Sequence, residues 1–537
     1  MTELSLNDVN LSRAVEFFKQ GQLDDAQTCL LSVLQAAPAN PDALYFMSMI
    51  DFRAGRTAVA ENRACELVYV MPEDGKALNL LGNIQMNLGK FDEANQTYAR
   101  GMKSDPTNST IWVNAAICFL GQGKPERSLE LSREAASLEP DSSNAHNVMG
   151  SAYLAINQLA DAKKCFEMAL SVSPGDIDAK FNLGKVQLDM GSRDAAIEIF
   201  DQILMENPLH LQALTRKGDA LSSARQFQDA ESCYRKALET EPSFLIAYIG
   251  YGKLLLSVAK PNEALERLKK ALDIDPTCIE ALMLVGKAFQ MLDQTDGAAA
   301  AFRDVLSIDP SNYDAEFMLA SVEGTGAPAK PDGSYVRRLF DDFADSFDDS
   351  LNQVGYDAPQ QLLKMAETQL GESVGNGFDV IDLGCGTGLV GLEFKKFARN
   401  MKGIDISPRM LEEARGRGVY DELETNELLA ALVRHHNDTD IVVSADVFPY
   451  IGDLESIFLA VTSALRKNGL FLFTVEAHSG DEDYRLSSKA RYSHTKEYIS
   501  MLAQRRGLTI VDCDDSSYRK EGGEPVSGLV VALKKSA

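Results

Sequence analysis

Residues 380–388 read Val-Ile-Asp-Leu-Gly-Cys-Gly-Thr-Gly, an apolar run that breaks into alternating glycines. Such a run predicts a buried strand that opens into a loop. The missing Cβ atoms at Gly384, Gly386 and Gly388 let a ligand lie against backbone at the carboxyl end of a sheet. Seventeen residues after Gly388, the run Gly403-Ile-Asp-Ile-Ser-Pro ends a second strand on Asp405. Its carboxylate can accept hydrogen bonds from two ribose hydroxyls, and Pro408 then opens a helix. Both features fit a nucleoside ligand.

Two chemistries compete for this loop. Gly386-Thr-Gly-Leu-Val-Gly391 also satisfies G-x-G-x-x-G, the fingerprint of dinucleotide binding and hence of a dehydrogenase. The strand stops at Leu383, however, so that fingerprint starts two residues late, and the domain is too small to add a catalytic half to a dinucleotide half. Asp382 weighs against it as well. An acid two residues before the first glycine suits a cationic ligand or fixes the loop, whereas beside a pyrophosphate it repels. S-adenosylmethionine, with its sulfonium and ammonium, is such a cation.

The elements that must position these residues follow from the pattern around them. Helical stretches at 336–347 and 358–370 precede a strand at 377–383, a helix at 389–398, a strand at 401–405, helices at 408–416 and 426–434, a strand at 440–446, a helix at 453–466, a strand at 469–475 and a helix at 495–505. Strand-like runs close the chain at 508–513 and 527–533. This alternation predicts a doubly wound α/β domain with a mainly parallel sheet, its last two strands forming an antiparallel pair at one edge.

The first 320 residues differ. Pro38, Pro72, Pro106, Pro140, Pro174, Pro208, Pro242, Pro276 and Pro310 follow one another at intervals of 34 residues without an insertion. Small residues recur ten positions after each Pro (Gly82, Gly150, Gly184, Gly218, Gly286 among them) and twelve before it (Ala94, Ala162, Ala196, Ala230), and aromatic residues fill the neighbouring gap at Tyr98, Phe166, Phe200, Tyr234 and Phe302. Small positions let paired helices approach closely, and each Pro ends a second helix. Trp112 sits where large residues pack helix on helix. Lys185, Lys253 and Lys287, at equivalent first-helix positions, either favour an acidic segment or form a solvated face.

Composition narrows the partners. The chain of 537 residues is long enough for three to four domains, or for one array and one enzyme-sized domain. Its formal net charge of −26 works against a polyphosphate backbone or an anionic membrane, so nucleic acid is an unlikely partner. Eight cysteines stand singly with no C-x-x-C pair, which suits a reduced cytoplasm and offers no metal site. The opening Met-Thr-Glu-Leu-Ser-Leu-Asn-Asp lacks the basic and apolar regions of a secretory signal, and no apolar run spans a membrane. The expectation is a cytoplasmic protein.

The 34-residue unit resembles the tetratricopeptide repeat, which implies a stack of helical hairpins forming a superhelix that holds a peptide or protein. Residues 380–388 and 403–407, continued through 440–453 and 465–476, resemble the class I S-adenosylmethionine-dependent methyltransferases. The whole chain is similar to bacterial predicted methyltransferases that carry tetratricopeptide repeats, sharing also Arg338-Leu-Phe-Asp-Asp-Phe-Ala-Asp-Ser-Phe-Asp348 and Arg491-Tyr-Ser-His-Thr495. The resemblance implies an all-α tetratricopeptide superhelix at 1–322, a linker at 323–333 and a Rossmann-like methyltransferase domain at 334–537. Deleting 1–323 is then expected to leave cofactor binding intact.

Carried over by residue, the resemblance implies that Gly384, Gly386 and Gly388, with Cys385, line the methionine moiety of S-adenosylmethionine. Asp382 fixes the loop or meets the ammonium, Asp405 with Ile406 holds the ribose, and Glu427 faces the adenine edge or is a surface carboxylate. Asp446 borders the reaction site or caps a helix. Phe343 keeps only stacking over the ligand, where the family tends to have a Tyr, and Phe340, Phe343 and Phe347 otherwise form a packing stripe. Tyr450 follows Asp446-Val-Phe-Pro rather than the Asn/Asp-Pro-Pro-Tyr of enzymes that methylate nucleobase nitrogens. His478 and His494, with Tyr484 and Arg491, lie where the superfamily builds substrate contacts, and a His there can act as general base. The methyl acceptor is a small molecule or a protein side chain held by the repeats. The alternative is a scaffold whose methyltransferase-like domain binds the nucleoside and transfers nothing.

Overall fold

In the computed structural model, which describes residues 6–326, 328–371, 377–521 and 523–536, the 34-residue period is a pair of helices. Thirteen-residue first helices such as Gly75–Asn87 and Ser143–Ala155 alternate with fourteen-residue second helices such as Phe91–Ser104 and Leu159–Val172. In most units with a glycine at the small first-helix position, an aromatic ring of the second helix occupies its place; at Gly252 it is Leu268. A Cβ on Gly82 would stand 2.5 Å from Tyr98, one on Gly150 2.7 Å from Phe166, and one on Gly184 2.6 Å from Phe200. All three rings are fully buried. The recurrent Pro is not itself the last helical residue. Each second helix stops two positions earlier, as at Ser104 before Pro106, because the residue preceding a proline is driven out of the helical region; Asp105 stands at φ −133°. Trp112 is half-buried beside its repeat's core, and its indole N–H donates to Pro106 O at 3.1 Å.

The chain divides into two units, residues 1–250 and 251–537. The second unit holds the last repeat helices and the α/β sheet. Its strands are β1 (Phe378–Leu383), β2 (Ala398–Asp405), β3 (Glu422–Thr425), β4 (Thr439–Ser444), β5 (Leu465–Ala477), β6 (Tyr484–Leu486), β7 (Tyr492–His494), β8 (Leu508–Ser516), β9 (Lys520–Glu521), β10 (Glu524–Pro525) and β11 (Gly528–Lys535). The main sheet runs β3-β2-β1-β4-β5-β11-β8. β1 to β5 are parallel, and β11 is antiparallel to both β5 and β8, so the expected antiparallel pair lies at the β8 edge. Alternate strand residues bury opposite faces. Ile381, Val442, Phe471 and Phe473 pack under the Glu455–Ala464 and Lys496–Arg505 helices, while Val380, Ile441, Val443 and Leu472 pack against Ala358–Leu370 and Leu389–Phe394.

Several elements depart from the sequence reading. β3 has no apolar run to announce it, being Glu-Leu-Glu-Thr. The helix expected at 389–398 ends at Phe394, and β2 starts early at Ala398. β5 begins at Leu465, inside the helix expected at 453–466. The segment expected to be open between β5 and the next helix carries β6 and β7, and β7 adds to the sheet beside Glu476 and Ala477.

Residues 328–333 of the expected linker form a fixed strap. Pro328 O accepts the Tyr492 hydroxyl, and Ala329 O accepts Gly452 N–H at 2.8 Å and Asp453 N–H at 3.1 Å. Asp332 caps the Gly333–Phe343 helix through Ser334 N–H. The Tyr313–Glu323 helix ahead of it is equally committed: Phe317, 2% exposed, packs with Leu486, Ala490 and Tyr492, and Asp314 pairs with Arg338. A cut at 323 removes the Phe317 and Asp314 contacts from residues 324–537. Phe317→Ala in a 251–537 fragment is expected to cost about 3–5 kcal/mol in chemical denaturation, and a fragment starting at 324 to melt lower or aggregate. A loss under about 1 kcal/mol would show the helix to be dispensable.

Candidate active site

The sheet order reverses at β1, which has β2 on one side and β4 on the other, and a crevice opens at the carboxyl ends of such strands. The loop leaving β1 is tied down by Gly384 N–H and Cys385 N–H, which both donate to Ile404 O at 2.8 and 3.0 Å. Its three glycines have different reasons to be glycine. Gly384 (φ +68°) has its Cβ position filled by Val447 at 2.3 Å, and that of Gly388 (φ +93°) lies 3.0 Å from Tyr420. Only Gly386 (φ +52°) keeps open room, its nearest neighbour being Phe347 at 3.6 Å. Gly388 therefore faces the Tyr420 packing and does not line the cavity, contrary to the sequence expectation.

Asp405 joins the strand to the loop. One carboxylate oxygen accepts Gly386 N–H at 2.9 Å and the other Ser407 N–H at 2.8 Å. It is 7% exposed, and burial pushes its carboxyl up to about 6 against those two donors. Each oxygen retains a lone pair for a ligand hydroxyl. Asp382 lies deeper, fully buried and off the cavity wall. One oxygen accepts the Tyr420 hydroxyl at 2.6 Å and the other has no hydrogen-bond partner. Burial pushes it up to about 7, with the Asp405 charge adding to the shift. Tyr420 is thus the group that fixes Asp382 beneath the loop.

The cavity has a volume of about 400 Å³, within the range of small-ligand sites, and Gly384, Cys385, Gly386, Asp405, Ile406, Glu427, Asp446 and Tyr450 all line it. Cys385 is buried, which raises its thiol well above the usual range. Glu427 lies just ahead of the Leu428–Leu432 helix at the exposed rim of the cavity, where Lys330 of the strap pairs with it at 3.0 Å.

Two short helices, Gly333–Phe343 and Phe347–Gln353, bring Phe340 and Phe347 into the lining, with Phe340 5.0 Å from Tyr450 in an edge-on contact. These rings are wall as well as packing stripe. Phe343, expected to stack over a ligand, is 44% exposed and outside the cavity lining. Polar ties hold this roof down. Asp341 accepts the Ser407 hydroxyl at 2.5 Å, and Asp348 accepts the Thr387 hydroxyl at 2.6 Å and pairs with Arg417.

Asp446 follows β4 at φ +56° and caps no helix. One oxygen accepts Arg519 Nη1 at 2.9 Å, the buried Tyr518 hydroxyl lies against the carboxylate, and burial pushes the carboxyl up to about 6. Burial and the Asp446 charge also raise the Tyr450 hydroxyl above its usual range. Neither expected histidine reaches the cavity. His494 is fully buried in β7, and its Nε2–H donates to Ile451 O and Gly452 O at 3.0 and 2.9 Å. Burial lowers it to about 4, so it is a neutral fastener of the 451–452 loop. Burial and Arg485 likewise hold His478 below its ordinary value. Their place off the cavity follows from β7 adding to the sheet, which turns the segment into wall support.

Sequence reasoning missed Lys330, Tyr356, Asp453 and Arg519, which all line the cavity. They come from the strap, a loop and a turn, where no periodicity marks them. The shared Arg338–Asp348 segment was the one available signal for the roof.

Residues 375–514 match the family described as a methyltransferase domain, and tetratricopeptide repeat families match within 11–76, 79–145, 143–176, 160–217, 221–288 and 280–312. Human RNA polymerase II-associated protein 3 is 28% identical over 127 residues, 24% of this chain and 19% of that protein, and the BBSome complex member BBS4 of Xenopus tropicalis is 33% identical over 157 residues, 29% of this chain and 28% of that protein. The chain spans less than a third of the length of either relative. Among solved structures, the APC/C heterotetramer Cut9–Hcn1 covers 54% of this chain and 57% of that chain at 18% identity and a TM-score of 0.42. YrrB, described as a TPR protein with an unusual peptide-binding site, covers 34% and 95% at 23% identity and a TM-score of 0.29. The chain therefore belongs with the fusions of a tetratricopeptide array, here over residues 11–312, to a methyltransferase domain, here over residues 375–514.

Proposed function

We infer that the α/β domain binds S-adenosylmethionine and transfers its methyl group, and that the tetratricopeptide array holds a protein or peptide partner or substrate. The observation that carries this reading is a glycine loop set among desolvated carboxylates: Asp405 and Asp446 on the wall and Asp382 beneath it. Buried acids with raised pKa call for a cation, and the open Cβ position of Gly386 lets one approach the backbone. When bound, the cofactor supplies a methyl carbon already activated by positive sulfur.

The residues of the chain then bind and align. Asp405 offers a lone pair on each oxygen to ribose hydroxyls, Ile406 and Phe347 supply apolar walls, and Glu427 with Lys330 stands where the adenine edge would lie. Gly384, Cys385 and Gly386 face the methionine portion, and Asp382 acts through Tyr420 and the loop. In-line transfer needs orientation above all, which the tied roof and strap provide. No metal enters the scheme. The proposed partition is an array at 1–322 and a catalytic domain at 334–537, with the intervening strap serving the catalytic domain. Eight unpaired cysteines accord with a reducing, cytoplasmic setting.

Calorimetric titration of S-adenosylmethionine and S-adenosylhomocysteine, with NAD as control ligand, tests the reading. Asp405→Asn is expected to weaken S-adenosylhomocysteine about 10–100-fold, since hydrogen bonds to a charged group are worth roughly 1.5–3 kcal/mol. Undiminished affinity in a folded variant, or preference for NAD, would overturn it.

A second outcome concerns pH. Folding raises Asp382 from 3.8 to about 7, so the cost of ionising it in the fold is absent below the unfolded value and complete above the folded one. Asp382→Asn removes that term alone. The stability of the variant relative to wild type is expected to improve between pH 5 and pH 8, by on the order of 1–3 kcal/mol. A pH-independent difference would mean that the carboxylate does not titrate in this window.

A further inference from the structure

The first helices of the middle repeats carry side-chain amides in a fixed register. Asn147 of Ser143–Ala155 stands two repeats beyond Asn79 of Gly75–Asn87, and Asn182 of Ile177–Asp189 stands two repeats beyond Asn114 of Ser109–Gly121. Neighbouring first helices join through them. Asn114 Nδ2 donates to Asn79 Oδ1 at 2.8 Å, and Asn182 Nδ2 donates to Asn147 Oδ1 at 3.1 Å. All four residues are half-buried, and among the described residues Asn79 Nδ2, Asn147 Nδ2, Asn114 Oδ1 and Asn182 Oδ1 have no hydrogen-bond partner. Each pair thus shows one uncommitted donor group and one uncommitted acceptor. An extended main chain presents the matching set, one C=O and one N–H per residue.

Lys185 adds a charge to this face. It lies one turn beyond Asn182, is half-buried, and makes neither a hydrogen bond nor an ion pair among the described residues. The lysines nearest it in sequence and in register are not left so. Lys180 pairs with Glu206 at 2.5 Å, Lys217 with Asp201 at 2.6 Å, and Lys253, its counterpart two repeats on, with Glu280, while Lys287 is exposed. Asp219, at the equivalent position one repeat after Lys185, is already committed: one oxygen accepts Arg216 Nη1 at 3.0 Å and the other accepts the Tyr234 hydroxyl at 2.7 Å. Burial and the Arg216 charge both work against the Lys185 ammonium, and Asp189, one turn on, favours it without an ion pair. An ammonium desolvated in this way gains by meeting an anion from outside.

We propose that the first helices between Gly75 and Ser223 bind an extended peptide, the asparagine pairs holding its main chain and Lys185 receiving the side chain of an aspartate or glutamate within it. The proposal rests on the reading of the array as the holder of a protein or peptide, and adds the chemistry of that partner. Packed helices lie about 8–10 Å apart, so the two asparagine pairs stand about 16–20 Å apart, the span of roughly five or six extended residues. The acidic residue belongs beside the second pair, because Asn182 and Lys185 are neighbours on one helix surface. It is internal to the peptide rather than its end, since first helices continue on both sides of Lys185, from Gly75–Asn87 before it to Leu211–Ser223 after it. The formal net charge of −26 disfavours a nucleic acid in its place.

The experiment uses the full chain as bait in a selection from randomised peptides of about fifteen residues, long enough to span both pairs, followed by affinity measurements on selected peptides made with free and with amidated C-termini. Wild type is expected to enrich Asp or Glu at one internal position over the starting library. Lys185→Glu, its fold checked by circular dichroism, is expected to exchange that acid for Lys or Arg at the same position. Lys185→Met is expected to abolish the preference and weaken the selected peptides about tenfold or more. Asn147→Ala and Asn182→Ala are expected to weaken them about three- to tenfold whatever their side chains, with the acidic preference kept.

Selected peptides with no acidic position, or with one that Lys185→Glu leaves unchanged, would overturn this proposal while leaving peptide binding by the array standing. So would a preference for a free C-terminal carboxylate that is lost on amidation, or folded asparagine variants that bind undiminished. A wild-type chain that enriches no peptide would overturn the peptide reading of the array itself, and this proposal with it.

Discussion

The site is organised by one buried charge. Asp405 ends β2, takes Gly386 N–H with one oxygen and Ser407 N–H with the other, and so fixes the glycine loop and the start of the Pro408–Arg417 helix at once. Burial works against that charge, and the two backbone donors oppose the penalty. A neutral side chain of the same size accepts one such bond well and the second poorly, which is why a carboxylate stands there. Ser407 extends the linkage. Its hydroxyl accepts Met410 N–H as the helix cap and donates to Asp341 in the roof, so strand, loop, helix and roof share one chain of hydrogen bonds.

A second set of ties fixes the cavity from above. Asp348 meets Thr387 and Arg417, Lys330 meets Glu427, and Ala329 O receives the Gly452 and Asp453 amides. These contacts join residues at least 39 positions apart, so the roof is a product of the folded domain rather than of local helix preference. Its anchorage continues into the repeat array through Phe317 and Asp314 of the Tyr313–Glu323 helix. The last array helix is accordingly part of the core that supports the wall of the cavity.

What was legible in the sequence was whatever repeats or alternates locally. The 34-residue period exposed the helical pairs because Gly150 and Phe166, or Gly184 and Phe200, solve the same packing problem at the same offset in each unit. The glycine loop and Asp405 were legible because backbone geometry leaves few residue choices there. β3 was not, since four residues with two glutamates carry no alternation against solvent. Arg519 was not, because its meaning lies in Asp446, 73 positions away. The histidines show the opposite error. Their chemistry suggested a base, yet burial in β7 turns His494 into a neutral donor to two carbonyls, a role that no residue-type argument separates from catalysis.

The charge balance of the cavity links these elements to turnover. Its wall carries Asp405, Glu427, Asp446 and Asp453 against Lys330 and Arg519, and Arg519 is shared with Glu476 outside the wall. The lining is therefore short of positive charge, and the desolvation that raises Asp405 and Asp446 also strengthens their pull on a cation. On the proposed reading, a sulfonium donor supplies that charge and its thioether product does not. The same field that favours the donor then releases part of its hold once the methyl has moved, so discrimination between donor and product follows from the carboxylates themselves and needs no rearrangement of the roof.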